Sequence, residues 1–229
     1  MLQYAHIPWF SPIRMGRSSI PTGPDLQNDF DLVIHCGDLT QGSAISEFRD
    51  TLGLLRDIRA PMKVIIAGNH DITLEAETYR KHLSVAGTDS DDTAAVQTYG
   101  KMGEARQLLI DAAVNGGMIF LKEGTHKLCL PNGAVIAVYA SPWTPRKEAV
   151  ATGANEAGWA FQYDRLDEHA FNIPSNTDIV VTHTALHKAS WTTSTVDAQA
   201  VRTCSPPSLA SGPRCTVSAI YTQTRMLSW

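Results

Sequence analysis

Asp38, the run Asn69-His70-Asp71 and His183 are the residues of this chain whose types and placement point to chemistry. Each follows a short apolar run: residues 31–36 lead into Gly37-Asp38, residues 62–67 into Gly68-Asn69-His70-Asp71, and residues 178–182 into His183. A carboxylate, an amide oxygen and an imidazole suit divalent first-row metals such as Mn, Fe or Zn better than Ca. A carboxylate can also bridge two ions, which is how a metal pair about 3.5–4 Å apart is held for in-line phosphoryl displacement. Singly, each residue has a plainer reading. Asp38 could cap a helix, Asn69 could serve a turn, His70 could be a surface histidine and His183 a satisfied core one. The ordered set outweighs those readings, because ligands in an open α/β sheet gather at the carboxyl ends of strands.

The three runs must therefore be strands. Between the first two, apolar residues at Ile45, Phe48, Leu52, Leu55 and Ile58 keep a helical spacing, with Ser43 as the expected cap. Strand, helix and strand on short links make a βαβ unit and predict parallel pairing. Further helices are expected over residues 74–83 and 102–114, a polar loop over 87–92, and a strand over 118–121. Asn132-Gly133 between two alternating runs predicts a hairpin. Residues 141–160 read as loop, and residues 1–30 as an irregular segment rich in Pro, Ser and Arg.

Composition narrows the class. The 229 residues are 43% hydrophobic and 18% charged, enough to bury a sizeable core in one domain. A net charge of −4 argues against a surface built for nucleic acid. No apolar stretch is long enough to span a membrane, no signal peptide is evident, and the four cysteines form no CxxC pair. A cytoplasmic protein is expected. Neither a G-x-S-x-G nor a GxxxxGK string occurs, which argues against a serine hydrolase or a P-loop protein.

The strings HCGDLT (residues 35–40), IIAGNHD (65–71) and IVVTH (179–183) resemble the calcineurin-like metallophosphoesterase superfamily. LKEGTHKLCLPNGAVIAVYASPWTP (121–145) and GWAFQYDR (158–165) look like its branch of metallophosphoesterase-domain proteins from brain and fungi. The resemblance implies an α/β fold, a four-layer α/β/β/α sandwich, here truncated or altered at both ends. It implies two divalent ions (Mn, Fe or Zn) and hydrolysis of a small phosphodiester or phosphomonoester. It also implies roles: Asp38 bridges the metals, Asn69 and His183 bind the second one, His70 stabilises the transition state or protonates the leaving oxygen, and Asp71 orients His70.

Two family motifs are missing. No Asp-x-His precedes Asp31, and no Gly-His-x-His closes the chain, so this chain is expected to hold at most one ion well. The domain is accordingly bounded at residues 31–183, with residues 184–229 as an aberrant tail. Those last residues are rich in Ser and Thr, and Asp197 is their sole acid. Back-translated and read from the third base of each codon, they permit three family-like strings in one constant frame: HGPPQGIMD from His183, GCPHLL from Gln199 and FGHIH from Val217. The last contains the missing Gly-His-x-His. The chain thus reads as out of frame from about Thr184, and the other possibility is a genuine alternative C-terminus. Two function classes follow: a metal-dependent phosphoesterase, impaired in this chain, or a catalytically inactive scaffold on the same fold.

Overall fold

The computed structural model describes residues 4–6, 32–131, 133–146, 158–164, 166–167, 169–184, 203–204 and 215–218. The fold is α/β. A four-stranded parallel sheet runs in the order β1 (Tyr4–His6), β2 (Leu32–Cys36), β3 (Lys63–Ile66), β4 (Met118–Phe120). Helix α1 (Ile45–Asp57) joins β2 to β3, so the expected βαβ unit forms with parallel register, Val33 opposite Lys63 and Cys36 opposite Ile66. After β3 come a short 3-10 turn (Ile72–Leu74), then α2 (Ala76–Val85), α3 (Thr93–Tyr99) and α4 (Glu104–Gly116).

A second sheet is mixed. Strands β5 (Gly124–Cys129) and β6 (Val135–Ser141) form the predicted hairpin, closed by Gly133 at φ +84°. Two short strands, β7 (Thr144–Pro145) and β8 (Gln162–Tyr163), pair with each other. Strand β9 (Ile179–Thr182) lies parallel between β6 and β11 (Cys215–Ser218), which in turn pairs with β10 (Thr203–Cys204).

Alternation along the strands separates two cores. Val33 and Ile65 face Phe48, Leu52 and Leu55 of α1 and Leu109 of α4. Their neighbours Leu32, Ile34, Val64 and Ile66 face Leu128, Ile136, Val138 and Val181 of the second sheet. Among the described residues, helices, first sheet and second sheet therefore stack in that order. No described helix covers the outer face of the second sheet.

Several local expectations change. Ser43 does not cap α1: it sits at φ +63°, its hydroxyl accepts from the Thr73 amide at 2.8 Å, and Ala44 takes the cap position. The first turn is satisfied from the other side, because the Glu47 carboxylate reaches back to the amides of Ala44, Gly42 and Gln41. Residues 93–99, given no element by the sequence, form a helix started by Asp92, which accepts from Ala94 and Ala95. Strands β1, β10 and β11 arise in segments without a strand-like period. Main-chain donors and acceptors at a sheet edge pair with any extended backbone, whatever its side chains. Most of the segment 1–30 and of the tail 184–229 lies outside the described residues.

Candidate metal centre

The site forms where β2, β3 and β9 end. Gly37 at φ +94° and Asp38 at φ +54° turn the chain sharply out of β2. A left-handed Asp is uncommon, and such strain concentrates at functional positions. The loop after β3 comes within hydrogen-bonding reach of this turn: the His70 amide donates to Asp38 Oδ1 at 2.9 Å. Gly68 is needed for that approach, because a Cβ there would collide with the Asp38 amide nitrogen and carboxylate and lie 2.7 Å from His183 Cε1. Strand β9 then delivers His183, anchored by its amide to the Ser141 carbonyl at 3.1 Å.

Asp38, Asn69 and His183 converge. His183 Nε2 stands 3.0 Å from Asn69 Oδ1 and 3.3 Å from Asp38 Oδ1, with Asp38 2% and His183 2% exposed. His183 Nδ1 lies 2.7 Å from the Cys36 carbonyl oxygen, which can only accept, so the ring proton sits on Nδ1. In the neutral ring, Nε2 then turns a lone pair toward a carboxylate oxygen. A cation between them, proton or metal, converts that repulsion into attraction. Burial opposes charge on both groups, but each stabilises the other: His183 holds the Asp38 carboxyl below its usual range, and Asp38 raises the pKa of His183.

The spacing also suits a small metal. Cis ligands on bonds of about 2.0–2.2 Å stand roughly 3.0–3.3 Å apart, whereas the longer bonds of Ca spread them further. Among the described residues no cluster of three or more His, Cys, Asp or Glu side chains is placed to hold an ion. Here the third donor is an amide, so the set fits one ion weakly held by protein.

His70 and Asp71 take distinct places. His70 Nδ1 meets the Gln41 carbonyl oxygen at 2.6 Å, and its ring lies against Trp159 with centroids 4.2 Å apart. Asp71, 0% exposed, accepts from the amides of Leu39, Thr40 and Gly68 and from the Thr40 hydroxyl, at 2.8–3.1 Å. Burial and the charge of Asp38 push its carboxyl up to about 7, and these donors limit the rise. Asp71 thus ties the β2 loop to the β3 loop, and the Gln41 carbonyl holds the His70 ring.

Sequence reasoning missed Thr40, Gln41 and Gly68 as site residues. Thr40 and Gly68 stand inside the quoted strings HCGDLT and IIAGNHD, so proximity in sequence could have found them. The Gln41 contact runs through its main chain and leaves no side-chain signal.

The calcineurin-like phosphoesterase family profile matches residues 21–203. The chain belongs to that family. The match supports a phosphoesterase-type function. A probable rhamnogalacturonate lyase C of Emericella nidulans is 28% identical over 163 residues, covering 71% of this chain. The chain spans 12% of that relative's length. Among the described residues, no helix is long and apolar enough to cross a membrane.

Proposed function

We propose that the chain is built on a metal-dependent hydrolase of small phosphoesters and retains one half of its dinuclear centre. The observation that carries this reading is His183 Nε2 facing Asp38 Oδ1 and Asn69 Oδ1 at 3.3 and 3.0 Å. These three side chains hold the better-bound ion, of the Mn, Fe or Zn type. When bound, the ion supplies positive charge against the phosphoryl oxygens and lowers the pKa of a coordinated water. His70, fixed through Nδ1 by Gln41 and backed by Trp159, presents the other edge of its ring for proton transfer to the leaving oxygen. Asp71 keeps the two ligand-bearing loops in register.

Cobalt supports a direct test. One Co(II) per chain with an absorption band in the visible is expected, and His183→Ala should remove the band while leaving the far-ultraviolet circular dichroism intact. Undiminished binding in that variant would place the metal elsewhere.

Proton competition gives a second expectation. Asp38 raises the pKa of His183, so the apo site keeps a proton on that ring to higher pH than a free imidazole does. Metal must displace it, so affinity should rise with pH through and above the ordinary imidazole range, with roughly one proton released per ion. Calorimetry in buffers of different ionisation enthalpy reads that proton, and a pH-independent affinity would contradict the assignment of His183.

The shifted reading frame would put the missing motif next to this site. Ser218 lies opposite Thr182, the residue before His183. A Gly-His-x-His encoded just past that point would leave its strand level with His183, beside the existing ligands. The scaffold reading is favoured by the incomplete ligand set, and a failure to bind Co(II) would select it.

A further inference from the structure

Trp159 reaches the His70 ring from a segment far from β3 in the chain, and that contact depends on how the segment is held. His82 Nε2 of α2 donates to the Gly158 carbonyl at 2.5 Å, the Trp159 amide donates to Gln162 Oε1 at 3.3 Å, and the Ala160 amide donates to the Asn69 carbonyl at 3.0 Å. The Phe161 amide donates to Glu75 Oε2 at 2.9 Å, and the Phe161 carbonyl accepts from the Thr144 amide at 2.8 Å. Phe161 stands at φ +50°, a left-handed conformation that a bulky residue keeps only where its surroundings hold it. Between these anchors the Trp159 ring lies against His70, the two planes 41° apart. The segment thus meets the β3 loop twice, at the main chain of Asn69 and at the ring of His70.

Glu75 supplies the carboxylate in this set. It occupies the N-cap position of α2, where the short side chains of Ser, Thr, Asp and Asn serve best because they fold back onto the first amides. Glu75 makes no such cap bond. Its Oε2 instead collects the Thr78 hydroxyl at 2.7 Å and the Phe161 amide, 86 residues away. An amide bound to a carboxylate is held more strongly than one bound to a neutral acceptor. The length of this side chain is therefore explained by the segment it holds rather than by the helix it starts.

We propose that Glu75 is a positioning residue for the metal centre: through the Phe161 amide it sets residues 158–161, which seat the Trp159 ring on His70 and hold the Asn69 carbonyl. It acts on both loop residues at one remove. The inference rests on the preceding reading for what Asn69 and His70 do, and on the contacts above for how they are placed.

The test follows the His70 ring by NMR in the metal-free full chain labelled at histidine, at one fixed pH. The carbon-bound protons of His70, identified by their loss in His70→Ala, should be displaced by the indole ring current, and Trp159→Leu should remove that displacement. Glu75→Asp keeps the charge at the start of α2 and makes a better cap, so the chain should stay folded, yet the shorter side chain no longer reaches the Phe161 amide. Its His70 signal should move most of the way to the Trp159→Leu position. Glu75→Gln keeps both the length and an acceptor oxygen and should leave the signal at its original position. Leu55→Val, in the core at the far end of α1, should lower the unfolding midpoint and not move the signal. Affinity for Co(II) should fall about tenfold in Glu75→Asp and less than about twofold in Glu75→Gln. An unmoved signal in Glu75→Asp or Trp159→Leu, an equal displacement in Glu75→Gln, a displacement in Leu55→Val, or undiminished Co(II) affinity in Glu75→Asp would each overturn the proposal. The metal reading fails separately: if the unaltered chain binds no Co(II), the metal-free spectra still decide whether Glu75 sets the His70 ring.

Discussion

Encoding a Gly-His-x-His after β11 and an Asp-x-His on β1 is expected to raise hydrolysis of an activated aryl phosphate diester with added Mn by orders of magnitude. On the proposed ligand set, Asp38, Asn69 and His183 would serve one ion and little but Asp38 a second, so turnover should sit close to background. A lone ion removes half of the charge that clamps the transferring phosphoryl group and part of the activation of the attacking water. The strands for both additions are in place: β1 lies parallel to β2 with His6 opposite Ile34, and β11 lies parallel to β9. Both run toward the edge where Asp38 and His183 meet. Asp38→Ala in the repaired chain should abolish the gain, because that carboxylate is the ligand common to both ions in the family pattern. Brisk turnover by the unrepaired chain that survives Asp38→Ala would show the site assignment to be wrong. The locus DNA gives an independent check: if the bases at codons 217–222 cannot spell FGHIH in the shifted frame, the frame argument fails.

The largest expected effect on stability comes from Asp71, which touches no substrate. Its carboxylate receives the amides of Leu39, Thr40 and Gly68 and the Thr40 hydroxyl in a fully buried position. Asp71→Ala strands those donors. Each unsatisfied buried donor costs about 1–3 kcal/mol, and with some water entering the gap the total should be about 3–5 kcal/mol. That is a large part of a typical domain's net stability of roughly 5–15 kcal/mol. The midpoint of urea unfolding should fall accordingly, and Asp71→Asn should fall less, since one oxygen acceptor remains. An unchanged midpoint in Asp71→Ala would mean that the two loops are held together by something else. Weakened Co(II) binding should accompany the loss, because Asp38 and Asn69 sit on the two loops that Asp71 joins.

Much of this protein is legible in its sequence, and the reason is local. Runs such as residues 32–36 and 62–67 are mostly apolar, broken only by His35 and Lys63, because a parallel strand here is buried on both faces, and the spacing through α1 follows the helical repeat. Glycine before Asp38 and before Asn69 marks where two loops pass within contact distance. Strand ends therefore predicted which side chains meet, and the strings around them the family. What required tertiary structure depends on groups that carry no side-chain pattern or on partners far apart in the chain. The Gln41 carbonyl that fixes His70, the Cys36 carbonyl that sets the His183 proton, and the three amides gathered by Asp71 are main-chain atoms, identical at every position. Ser43 gave up the helix cap for Thr73, thirty residues away, because packing of the two loops decides which of two satisfactory hydrogen bonds forms. Strands β1 and β11 were invisible for the same reason: edge pairing is made by backbone, and only the folded sheet shows where an edge lies open.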